Sequence, residues 1–206
     1  MQGSAIESTN LDQAQAIAAG EAHHEEHPDL RVFGLITFLI SEGMLFLGLF
    51  AAYLAYRVVA ESWPPEGTPE LEILIPGINT IILVSSSFVI HQADHAIKKN
   101  DLKTVRWWFL ATFIMGAVFI GGQLYEYSNL EFGLTSNLFA STFYVLTGFH
   151  GMHVMVGLCL ILGVLLTSLK KSSYTSEKHY GIEAASIYWH FVDIVWIILF
   201  LMLYII

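Results

Sequence analysis

The order of apolar and polar positions divides the chain into a polar lead and five apolar runs. Residues 32–56 carry a single charge, Glu42. Residues 73–93, 107–125 and 132–169 carry none, and residues 184–206 carry only Asp193. About 20 consecutive apolar residues make a helix long enough to cross the hydrocarbon layer of a bilayer. The pattern therefore predicts an all-α integral membrane protein, a bundle of five transmembrane helices at approximately 32–58, 75–97, 104–127, 137–168 and 182–206. The fourth run is long for one span and short for two. It contains no proline and no charged turn, so it is read as one helix of roughly 48 Å that tilts or projects into water. The connections are short, so sequence neighbours are expected to be neighbours in space.

Lysine and arginine fix the predicted orientation. With the N-terminus inside, the inner segments hold Arg31, Lys98, Lys99, Lys103, Arg106, Lys170, Lys171 and Lys178, and the outer segments hold only Arg57. The N-terminus is predicted inside and the C-terminus outside. Asp29 after Pro28 suits a cap for the first span, Pro76 a first turn of the second, and Asn100 with Asp101 a turn between the second and third. Trp63, Trp107, Trp108 and Tyr204 fall near predicted interfaces, where amphipathic rings are favoured. Residues 1–28 are polar and acidic and read as a disordered cytoplasmic tail. His23, His24, Glu25, Glu26 and His27 lie in it, where a flexible segment gives ligands no fixed geometry.

Composition agrees with the spans. Of the 206 residues, 55% are hydrophobic and 13% charged, against about 25% charged in soluble domains. The formal charge of −9 comes with no basic face large enough for a phosphate track, which excludes nucleic acid as a partner. The lone Cys159 forms no internal disulfide or thiolate cluster, and is expected to be a small packing residue. A basic start followed by an apolar stretch is not apparent, so the first span is expected to direct insertion itself.

Polar groups within the spans are the candidate chemistry, because they are costly there and face the bundle interior or a cavity. Glu42 lies roughly 16 Å into its helix. It reads either as a proton-active carboxyl or partner of a lipid or neighbouring subunit, or as a structural hydrogen bond between helices. His150 and His153 share a face of the fourth helix, and His190 and Asp193 share one of the fifth. Their depths are similar, so the two pairs are expected to meet in an inter-helical polar network, with a proton relay or a metal site as alternatives. Gln123 and Glu126 near the outer end of the third span, His91, Asp94 and His95 at the inner end of the second, and Glu183 at the start of the fifth read as anchors or interfacial contacts. Gly116, Gly121, Gly122, Gly148 and Gly151 would allow close helix approach, and the serines at 85–87 inter-helical hydrogen bonds. A carboxylate-bridged di-iron site wants Glu-x-x-His from two helices, whereas Leu45 and Asn129 stand three after Glu42 and Glu126. A bis-histidine heme held by His91 or His95 with His150 or His190 is disfavoured by their unequal depths. No metal ligand set is assigned.

Five segments carry a resemblance. STFYVLTGFHGMHVMVG from Ser141 and EAASIYWHFVDIVWIILF from Glu183 closely resemble two diagnostic segments of subunit III of cytochrome c oxidase. ISEGMLFLGLFAAY around Glu42, GINTIILVSSSFVIHQADHAI at Gly77 to Ile97 and GGQLYEY at Gly121 to Tyr127 are similar to its other motifs, in the same order. The resemblance covers residues 28–206 and looks like the short bacterial form, which lacks the first two of the family's seven helices. Glu42 and Glu183 are more similar to the cytochrome c branch than to the quinol oxidase branch, which remains the alternative. A standalone proton or ion transporter and a di-heme cytochrome are further readings that the segment matches do not favour. The resemblance implies a subunit without a redox centre in a proton-pumping terminal oxidase. Hemes and copper would lie in subunits I and II. This chain would brace subunit I, hold phospholipid in a cleft, support proton uptake, and sit in a bacterial plasma membrane, or a thylakoid membrane in a cyanobacterium.

Overall fold

The computed structural model describes residues 30–69, 71–170 and 174–206, among which there are five long helices and no strand. The acidic tail and its histidines lie outside the described residues. The helices are α1 (Leu30–Val59), α2 (Leu74–Lys98), α3 (Leu102–Asn129), α4 (Leu138–Ser168) and α5 (Tyr180–Phe200), the last continuing as a π-helical turn, Leu201–Ile205. All five are long and apolar enough to cross a membrane. The long fourth run is one helix of 31 residues. The chain divides at Ile36, and the unit from Thr37 to Ile206 holds every site described below.

Local chemistry sets the helix ends. Asp101 caps α3 by accepting from the Thr104 amide at 3.2 Å and its hydroxyl at 2.5 Å, and these bonds hold its carboxyl below the usual carboxylate range. Asn100 before it takes a positive φ of 56°, a conformation that asparagine tolerates in tight turns. Asn137 caps α4 by accepting from Ala140 at 2.7 Å. At the C-terminal end of α4, Arg106 donates from Nε to Ser168 Oγ at 3.2 Å and from a second nitrogen to the Ser168 carbonyl. A cation suits that end of a helix dipole.

Close backbone approaches join α2 to α3, α3 to α4, α4 to α5 and α5 back to α2, which makes a closed four-helix bundle. Its centre is Trp189 of α5, fully buried. A Cβ on Gly116 of α3 would stand 2.5 Å from this indole, and one on Gly157 of α4 would stand 2.9 Å from it. The indole N–H donates to Ser86 Oγ of α2 at 2.8 Å, so one side chain ties all four helices. Lipid tails are as apolar as leucine, so packing and hydrogen bonds of this kind, rather than water exclusion, hold membrane helices together. Gly116 and Gly122 are close-approach points as expected. A Cβ on Gly121 or Gly151 would meet no atom within 4 Å, and one on Gly148 would only touch the Tyr127 hydroxyl.

One further expectation is corrected: Cys159 is exposed rather than packed inside. Tyr204, near the end of the last helix, is turned inward and 8% exposed, because Glu126 offers its hydroxyl a buried acceptor.

Candidate functional site

Glu42 of α1 and His153 of α4 meet with Oε2 and Nε2 at 3.1 Å. The carboxyl is 22% exposed and the imidazole 8%. His153 Nδ1 lies 2.8 Å from the Phe149 carbonyl, an acceptor that requires a proton on Nδ1. Nε2 of a neutral ring must then accept, and Glu42 must donate as the acid. The other state is an imidazolium beside a carboxylate. Either way the pair retains one proton between its two groups. Aromatic rings wall it in, with Phe46 4.9 Å and Phe149 4.9 Å from the imidazole, centre to centre. The Tyr188 hydroxyl donates to the His153 carbonyl at 3.4 Å.

The sequence pairs regroup. His153 pairs with Glu42, whereas His190 and Asp193 turn to Ser87 of α2. His190 Nδ1 lies 3.0 Å from Ser87 Oγ, and that hydroxyl donates to Asp193 Oδ2. The expected meeting of His150 with Asp193 is not made. His150 is 1% exposed, packs its ring 5.0 Å from Trp196 and 6.0 Å from Phe119, and neither ring nitrogen has a partner among the described residues. The reason is lateral: depth along a helix says nothing about which neighbour a side chain faces. Toward the lysine-rich end of the α2–α5 seam, Asp94 accepts from Ser186 at 3.1 Å and stands 3.8 Å from His91. His95 packs its ring 4.9 Å from His91, and both histidines are exposed, as is Glu183 in the first turn of α5.

At the other end, Gln123 donates to Glu126 Oε2 at 3.0 Å and Tyr204 donates to Oε1 at 2.7 Å. Gln123 and Glu126, expected as interfacial contacts, are both buried. Glu126 borders a cavity of about 530 Å³ whose lining also includes Glu72 and Glu131. A second groove, of about 260 Å³, lies between α1 and α4 and is lined by Leu49, Ala52, Tyr53, Val145 and Leu146 among others.

Among the described residues no three His, Cys, Asp or Glu side chains are grouped to hold a metal ion. Sequence reasoning missed Trp189, Gly157 and Tyr188 as organising residues. Ser87 was visible only as one of three consecutive serines, without its partners.

The description cytochrome c oxidase subunit III belongs to a family model that matches residues 14–206. Cytochrome c oxidase subunit 3 of Synechocystis is 57% identical over 205 residues, 99% of this chain and 87% of that one. The Thermostichus vulcanus protein of the same name is 57% identical over 200 residues, 97% of this chain and 98% of that one. The Loxodonta africana protein is 36% identical over 178 residues, 84% of this chain but 68% of the longer relative. With five membrane-length helices and this match over nearly its whole length, the chain belongs to the cytochrome c oxidase subunit III family.

Proposed function

We propose that the chain is the redox-inactive third subunit of a proton-pumping cytochrome c oxidase, set against the metal-bearing subunit I and alongside subunit II. It lies in a plasma membrane, or in a thylakoid membrane if the source is a cyanobacterium like its 57% identical relatives. Its contribution is to brace subunit I, seat phospholipid and sustain proton uptake. Hemes and copper belong to the partners, and electrons arrive from cytochrome c rather than quinol, a choice that Glu42 and Glu183 favour.

The observation that carries this reading is the Glu42–His153 pair, a carboxyl and an imidazole held 3.1 Å apart within apolar spans and sharing one proton. Such a pair keeps a buried charge balanced beside a partner that moves protons. The α1–α4 groove, apolar apart from a few hydroxyls, suits an acyl chain. The two ends of the bundle support the orientation. Asn100 and Ser176 bind each other at 3.1 and 2.7 Å, which puts the lysine-rich turns together, and Asn137 donates to Thr68 at 2.8 Å at the lysine-poor end. The lysine-rich end faces the cytoplasm.

The test is an oxidase prepared without this chain and then with it restored. The expected preparation keeps its heme and copper spectra and its initial oxygen consumption, loses activity during sustained turnover, and recovers endurance on restoration. Complete loss of initial turnover with all metals in place would contradict the supporting role.

A further inference from the structure

The seam between α2 and α5 is polar in four places, and the four are not alike. Two contacts are indole to hydroxyl: Trp189 to Ser86 at 2.8 Å, and Trp196 to Thr80 at 2.9 Å. These hold helices together and offer no proton that titrates. The other two bracket titratable groups. Asp94, with Ser186 at 3.1 Å and the exposed His91 at 3.8 Å, stands at the aqueous end. One to two turns deeper, Ser87 sits between His190 and Asp193. Ser186, which binds Asp94, and His190, which meets Ser87, stand four residues apart on one face of α5, so the two groups form one column. Asp193 ends it. It is 3% exposed, and its Oδ1 has no partner among the described residues.

We propose that this half of the seam is a blind proton well, a site that takes a proton from the aqueous surface at His91 and Asp94 and stores it on Asp193. The geometry dictates the last step. When His190 is doubly protonated, its Nδ1–H donates to Ser87 Oγ, and the Ser87 hydroxyl donates to Asp193 Oδ2. The hydroxyl proton passes to Asp193 as the Nδ1 proton passes to Ser87. One N–H and one O–H bond break, and two O–H bonds form. Afterwards the new Asp193 acid donates back to Ser87, and Ser87 donates to the bare Nδ1. The column then holds a neutral imidazole and a neutral acid in place of an ion pair. The unpartnered Oδ1 fits that loaded state, because an unsatisfied carbonyl of a neutral acid costs far less in an apolar interior than an unsatisfied carboxylate oxygen. Trp196, one turn beyond Asp193, and Thr80, two turns beyond Ser87, close the column with their own bond, and among the described residues nothing binds the free Oδ1 of Asp193. The titratable groups around it are His91, Asp94, His95 and Lys98 on α2, Glu183 and His190 on α5, and, beyond the Trp196 ring, His150 on α4.

The proposal takes from the proposed function only that the chain is studied within its intact complex, and its test does not depend on turnover. Infrared difference spectra of the complex between alkaline and acid pH are expected to show a protonated-carboxyl band. Carboxyl-labelled aspartate should shift it and Asp193→Asn should remove it. In D2O the band should exchange quickly in the unaltered complex and at least about tenfold more slowly in Ser87→Ala. Asp94→Asn, at the half-exposed mouth, supplies the same exchange measurement if the buried variants fail to assemble, and slowing is expected there too. Absence of an aspartate band, its survival in Asp193→Asn, or an exchange rate unchanged by Ser87→Ala and Asp94→Asn would overturn the well. Oxygen consumption recorded on the same samples separates this outcome from failure of the subunit assignment.

Discussion

α1 and the bundle of α2 to α5 are all apolar enough to cross a membrane but are built differently. The most apolar window of α1 is 11% buried, against 56% in the last helix. The bundle closes through glycines that let Trp189 lie against neighbouring backbones. From Thr37 onward, α1 is tied instead by separate side-chain contacts. Phe46 packs against Phe149, His153 and Phe191. Tyr53 donates to the Met202 carbonyl at 3.1 Å and accepts from Trp63 at the same distance. Glu42 binds His153. A helix held by a few pins leaves room beside it, and the α1–α4 groove occupies that room. The comparison separates a closely packed four-helix scaffold from a helix held to it by a few side-chain contacts, among them the Glu42–His153 pair on which the proposed function rests.

Trp189→Ala should strike hardest, because it empties the point where all four bundle helices meet. The expected cost is about 5 kcal/mol, at the upper end for large-to-small core changes. It is read as loss of the chain from the assembled complex on thermal challenge, and an unchanged denaturation midpoint would remove Trp189 from the centre of the account. Phe46→Ala should cost about 3 kcal/mol and act on one region only. Spin labels at positions 49 and 145 should move apart while labels within α2 to α5 keep their spacing. Widening throughout would mean that the two regions are a single unit. The smallest effect is expected at the lysine-poor end, where Asn137→Ala removes the α4 cap and the bond to Thr68 for about 1 kcal/mol. Faster amide exchange confined to the first turn of α4 would report it.

Much of this could be read from the chain. The five charge-poor runs read as five helices, and five membrane-length helices are what the described residues form, because a bilayer punishes charge strongly enough to keep it out of the spans. Asp101 reads as a turn residue because its short carboxyl competes for backbone amides. Facing is where reading stops. In water, apolar periodicity shows which side of a helix points inward. In lipid the outside is as apolar as the inside, so α4 offers almost no pattern by which to orient Cys159 outward or Gly157 inward. For the same reason His150 and His153, one turn apart, were assigned a common partner. The structure instead gives one of them Glu42 and leaves the other among Phe119 and Trp196.

The central claim is that Glu42, one of the pins joining α1 to the bundle, supports the oxidase without taking part in oxygen chemistry. Glu42→Ala breaks the bond to His153, removes the shared proton and leaves every other contact described here in place. The direct measurement is initial oxygen consumption alongside activity after prolonged turnover in one preparation, with heme and copper content determined on the same sample. The account predicts initial consumption close to that of the unaltered oxidase, followed by accelerated loss of activity or a reduced number of protons pumped. Zero initial turnover with hemes and coppers fully loaded would contradict it, because Glu42 would then belong to the chemistry itself.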